Sequence, residues 1–101
     1  MNKEIVQAIL ERSGGLCEEC GVADYMCQLH HIISGRGKRK QHETVESVIL
    51  LCWDCHHGTY GVHGREGKAL DLKLKRQLQE TYFNQGYTEN EVREKMGGKL
   101  Y

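Results

Sequence analysis

Leu50-Leu51-Cys52-Trp53-Asp54-Cys55-His56-His57 holds a C-x2-C pair, and Cys17-Glu18-Glu19-Cys20-Gly21 upstream holds another. Two intervening residues let both thiolates of a knuckle reach one ion, so two such pairs meet the number and spacing of a tetrahedral zinc site. A site of four sulfurs is closed and leaves no position for a substrate. Gln28-Leu29-His30-His31-Ile32-Ile33 lies between the pairs, and His56, His57 and His63 lie in and beyond the second. A chain needing only a zinc staple has no use for these histidines, so the pattern points to a second metal.

The chain has 101 residues, which reads as one domain over 1–101. A chain this short buries only about two-thirds of the surface its unfolded form exposes, so its stability is marginal without a cross-link. Structural zinc contributes roughly 10 to 16 kcal/mol and is expected to be obligatory for folding. Five cysteines could also make disulfides in a secreted protein. Met1-Asn2-Lys3-Glu4 does not open a basic stretch followed by an apolar one, and no run approaches membrane-spanning length. The expected setting is therefore reducing and cytoplasmic, with thiolates on zinc and Cys27 as a buried spectator. Lys plus Arg equals Asp plus Glu at 14 each, which argues against a strongly basic coat for nucleic acid. Charge is nevertheless uneven: Arg36, Lys38, Arg39 and Lys40 crowd one loop directly after the histidine pair, where they would neutralise phosphates.

Residues 2 to 13 read as a helix, with Ile5 and Ile9 beside Val6 and Leu10 at four-residue spacing, Asn2 as N-cap and Gly14-Gly15 as its end. Residues 26 to 33 and 45 to 51 read as two strands, joined by a long loop and paired antiparallel. Three glycines, Gly58, Gly61 and Gly64, exclude a long helix there and predict a short helical turn, then a loop that swings His63 back. Leu70, Leu74, Leu78 and Tyr82 make one stripe of a helix over 67–83. Thr88-Glu89-Asn90-Glu91 is a capping box that opens a last helix over 89–96, with Tyr87 and Val92 as its staple.

The order C-x2-C, His-His-Ile-Ile, basic loop, then a strand ending in Leu-Leu-Cys-x2-Cys-His resembles the HNH endonucleases, which have the ββα-metal (His-Me finger) fold. The resemblance spans about residues 17 to 64, and the flanking helices lie outside it. It implies an α+β domain with a small ββα-metal core, two zinc knuckles, and helices on either side. It implies a metal-dependent endonuclease that hydrolyses DNA phosphodiester bonds to 5′-phosphate and 3′-hydroxyl ends. By that resemblance His31 is the general base, and His30, His56 and His63 hold a divalent ion beside the departing 3′ oxygen. Cys17, Cys20, Cys52 and Cys55 hold structural Zn²⁺. Arg36, Lys38, Arg39 and Lys40 are expected to contact DNA.

The asparagine usual in the family's middle motif falls at Ser47, which lacks the amide; it resembles a loop-orienting group, and His42 is a possible substitute from the loop. His57 is either a ligand or a bystander to His56. Adjacent residues of a regular strand face opposite sides, so His30 and His31 share a site only if the strand ends or twists there. A ligand set of imidazoles without a carboxylate suits Mn²⁺, Co²⁺ or Ni²⁺ better than Mg²⁺, which prefers oxygen. One such site in a monomer or weak homodimer predicts nicking of one strand, and no recognition helix is present to give strong sequence preference. The rival reading is a zinc-binding module that grips nucleic acid or protein without catalysis and leaves the histidines idle.

Overall fold

A computed structural model of the chain describes residues 1–23, 26–34 and 42–101. The basic cluster Arg36, Lys38, Arg39 and Lys40 lies outside them. Among the described residues the molecule is α+β, with four helices and a two-stranded antiparallel sheet.

Helix α1 runs Lys3–Ser13. The Asn2 side chain accepts from Glu4 N at 2.7 Å, satisfying one orphan donor of the first turn, and Gly14 closes the helix at φ 65°. Strands β1, Gln28–His31, and β2, Val48–Leu51, pair with His30 opposite Ile49 and His31 opposite Val48. Both are shorter than the sequence pattern predicts. At the β2 end the cause is the turn over 44–47: Thr44 N donates to Ser47 Oγ at 2.8 Å and Ser47 N to Thr44 O at 3.2 Å, which curls this segment away from extended pairing. A single bond, Ile32 N to Ser47 O at 2.9 Å, continues the ladder beyond β1.

Alternation along the strands divides the sheet into two faces. Leu29, Val48 and Leu50 turn toward α1, packing with Ile9 and Ile5 in a small apolar cluster. Ile49 and Leu51 turn the other way, into the main core with Ile32, Leu74, Leu78 and Val92. Ile9, Val48 and Leu51 are 0 % exposed, and full burial of each contributes about 1.5 to 3 kcal/mol.

The outer edge of β2 is occupied. Glu18 N donates to Leu50 O at 2.8 Å, and its carboxylate accepts from Leu50 N at 2.9 Å. Arg12 donates to Val48 O and Val45 O, each at 2.8 Å, while pairing with Glu18 at 2.6 Å. Helix α1 thus does more than pack: its last turn ties the first knuckle to the sheet.

Helix α2, Trp53–His57, starts at Cys52, whose Sγ accepts from Cys55 N. Helix α3, Lys68–Asn84, buries Leu74, Leu78 and Tyr82, with Leu70 partly buried in the same stripe. Helix α4, Glu89–Lys95, has the capping box read from the sequence: Glu91 N donates to Thr88 Oγ1 at 3.2 Å and Thr88 N to Glu91 Oε1 at 2.9 Å. Val92 and Met96 anchor α4 against the main core, which also contains Cys17 and Cys52. No helix among the described residues is long and apolar enough to cross a membrane.

Candidate metal centres

The knuckles bring together Cys17, Cys20, Cys52 and Cys55, whose sulfurs all lie within 4.8 Å of one another. Cys20 Sγ stands 3.7 Å from Cys52 Sγ. Four sulfurs at about 2.3 Å from a central zinc ion are separated by about 3.8 Å, so the spacing fits a zinc site. In each knuckle the first sulfur accepts from the backbone N–H of the second cysteine, Cys20 N to Cys17 Sγ at 3.5 Å and Cys55 N to Cys52 Sγ at 3.4 Å. Burial opposes ionisation of Cys17, but backbone donors at Cys20, Cys52 and Glu19 outweigh it and bring the thiol down to about 6. Burial and the neighbouring thiols push Cys55 up instead. Cys27 lies outside this group, half-buried against both apolar clusters.

A second group includes His56, the residue after Cys55 in α2. Ring nitrogens of His30, His56 and His63 all lie within 4.8 Å of one another. The ring centres are 5.2 Å apart for His30 and His56, 5.1 Å for His30 and His63, and 4.8 Å for His56 and His63. His30 is buried, and its Nε2 has no hydrogen-bond partner among the described residues. An orphaned buried nitrogen costs about 1 to 3 kcal/mol. A buried ring nitrogen without a partner, on a ring grouped with two other imidazoles, is accounted for if it ligates a cation. Burial, with smaller effects from His56 and His63, pushes His30 down to about 4, so its ring is neutral and its lone pair available at pH 7.

His63 reaches this group through the glycine loop. After α2 the chain doubles back on itself, with Val62 N donating to Cys55 O and His63 N to His56 O, both at 2.9 Å. The doubling is so tight that a Cβ on Gly61 would meet Asp54 O at 2.4 Å and one on Gly64 would meet Gly58 O at 1.8 Å. Only glycine permits that approach.

Gln28 and Glu43 are two partners that the sequence pattern does not single out. Gln28 shares a face with His30, and its Oε1 accepts from His56 Nδ1 at 2.8 Å and His57 Nε2 at 3.1 Å. An imidazole that donates through Nδ1 presents Nε2 to a metal, so Gln28 sets the ligand orientation of His56. His57 is exposed and outside the imidazole group.

His31 lies at the end of β1 on the face opposite His30, as strand alternation requires. It is outside the imidazole group, and its Nε2 meets Glu43 Oε2 at 2.8 Å. That bond, above all, holds the Glu43 carboxyl below its usual range. Ser47 is buried and ties the intervening turn, its hydroxyl donating to His42 O at 2.8 Å and accepting from Thr44 N at 2.8 Å. His42 is half-buried and lines a separate hollow with Tyr87, Glu91 and Lys95.

No family model, no curated protein and no solved structure matches the chain. The geometry of the two clusters therefore carries the functional argument.

Proposed function

We propose that the protein is a metal-dependent endonuclease of the HNH type that hydrolyses DNA phosphodiester bonds one strand at a time. One observation carries the reading: ring nitrogens of His30, His56 and His63 lie within 4.8 Å of one another, the buried His30 Nε2 has no hydrogen-bond partner among the described residues, and the next residue along the strand, His31, is a histidine held by a carboxylate. A closed four-sulfur site with no other task would leave that second cluster without a purpose.

His30, His56 and His63 would hold the divalent ion, and Cys17, Cys20, Cys52 and Cys55 the structural zinc. Among the described residues no carboxylate joins the imidazole group, which favours Mn²⁺ over Mg²⁺. When bound, the ion supplies charge neutralisation at the phosphoryl oxygens and the leaving 3′ oxygen. His31 takes the proton of the attacking water. β1 ends at His31, and adjacent Cα atoms are about 3.8 Å apart, so a phosphodiester laid across the strand end is served by residues from both faces. The basic residues Arg36, Lys38, Arg39 and Lys40 follow directly in the chain and suit the flanking phosphates.

The test is conversion of supercoiled plasmid by zinc-loaded protein with added Mn²⁺, beside His31→Ala and His30→Ala of equal zinc content. Open circle from wild type, with at least about a 100-fold loss in His31→Ala, supports the proposal. No conversion by wild type, with plasmid still bound, overturns it in favour of a non-catalytic zinc module.

A further inference from the structure

We infer that Glu43 is a positioning residue for His31, occupying Nε2 so that Nδ1 is the nitrogen that receives the proton. The inference rests on the nuclease reading above and adds a residue to it.

An ionised carboxylate can only accept a hydrogen bond. The 2.8 Å contact between His31 Nε2 and Glu43 Oε2 therefore requires the hydrogen to sit on Nε2. With Nε2–H committed, the neutral ring keeps its lone pair on Nδ1. The His31 ring is also fixed in rotation, because turning it would break the bond. Both side chains are 17 % exposed, so this is a partly desolvated pair rather than two surface groups that happen to meet.

The turn that presents Glu43 is itself braced. The Ser47 hydroxyl bonds to the residues on either side of Glu43, namely His42 O and Thr44 N. Tyr82 of α3 meets Thr44 Oγ1 at 2.9 Å, and burial keeps that phenol above its ordinary range and so neutral. Asn2 N at the start of α1 approaches Glu43 Oε1 at 3.5 Å. Ser47 and Tyr82 thus hold the turn, Asn2 N approaches the carboxylate itself, and the side-chain partner of that carboxylate among the described residues is His31.

The chemistry balances without a further reactant. A water proton passes to His31 Nδ1 as the water oxygen bonds to phosphorus. The bond from phosphorus to the 3′ oxygen breaks, and that oxygen is protonated from solvent. Glu43 keeps its charge throughout and steadies the imidazolium that forms, as the third group of a nucleophile–base–carboxylate array does.

The experiment compares wild type, Glu43→Gln and Glu43→Ala, each zinc-loaded and checked for native circular dichroism. The first readout is the His31 Nε2–H proton in ¹⁵N-histidine-labelled protein at about pH 8, where an ordinary imidazole is neutral. The second is plasmid nicking in Mn²⁺, separated into kcat and KM. A downfield, exchange-protected Nε2–H resonance is expected in wild type and absent from Glu43→Ala. That variant should lose about 10- to 100-fold in kcat with KM little changed, part of the roughly 10²- to 10⁴-fold a general base supplies. Glu43→Gln should recover both in part, because its amide oxygen accepts the same hydrogen. Nicking by Glu43→Ala at the wild-type rate overturns the positioning role alone, as does a raised KM with kcat unchanged. A wild type that does not nick overturns the nuclease reading, and this role with it.

Discussion

Cys55 and His56 are consecutive residues of one five-residue helix, yet Cys55 belongs to the four-sulfur group and His56 to the imidazole group. Successive residues of a helix point about 100° apart, so α2 sends one side chain to each cluster. Whatever orders the sulfurs orders the ring.

Loss of zinc is accordingly expected to abolish both sites. Stripping the protein with a strong chelator should remove helical circular dichroism and Mn²⁺ binding together, since structural zinc supplies roughly 10 to 16 kcal/mol. Undiminished Mn²⁺ binding by zinc-free protein would show that the imidazoles assemble without the knuckles.

Gln28→Leu is expected to weaken Mn²⁺ binding about 10- to 100-fold, the usual effect of losing a partner that orients a ligand. The zinc content should not change, because the Gln28 amide oxygen bonds to the rings of His56 and His57. Isothermal titration with Mn²⁺, alongside zinc analysis, gives both quantities.

Gly64→Ala places a methyl group 1.8 Å from Gly58 O and 2.6 Å from Thr59 O. Both contacts are backbone, so the loop itself must shift, at a cost of about 3 kcal/mol. Chemical denaturation should show that loss, and Mn²⁺ titration should show His63 displaced while the cysteines keep their zinc.

The ionisation of His30 gives a pH dependence with a definite sign in protein carrying zinc and no second ion. The native ring stays neutral to about 4, held there first by burial. The unfolded ring protonates near about 6.5. The unfolded state therefore binds the extra proton first, and this contribution to stability is complete above pH ~6.5 and lost as pH falls toward ~4. Denaturation of wild type minus His30→Gln across that window isolates the effect, and the ring proton shift of His30 should titrate near 4; a midpoint near 6.5 contradicts it.

The four-sulfur group is legible from local spacing alone, because C-x2-C confines both thiolates to one turn. The glycines around His63 are equally informative, since they exclude a long helix and demand a return. Asn2, the Leu70 to Tyr82 stripe and the Thr88 box mark the helices in the same way. Strand length is less legible: apolar Ile32, Ile33 and Val45 suit extended chain, and the side-chain bonds of Ser47 that bend 44–47 leave no periodic trace. Gln28 and Glu43 are hidden for a related reason. Each meets a histidine only through strand register or a turn, and neither has a spacing that announces it. The separation of His30 from His31 follows from alternation, but which ring joins His56 and His63 depends on the face that α2 covers.

The bonds from Glu18 and Arg12 to Leu50 and Val48 have a bearing on association between molecules. A bare β-edge offers a row of N–H and C=O groups on which a foreign strand can dock and grow. Here a glutamate backbone and side chain mimic such a strand over Leu50, and a guanidinium takes the next carbonyl. The knuckle that gathers the zinc ligands thus also seals that flank against runaway sheet extension.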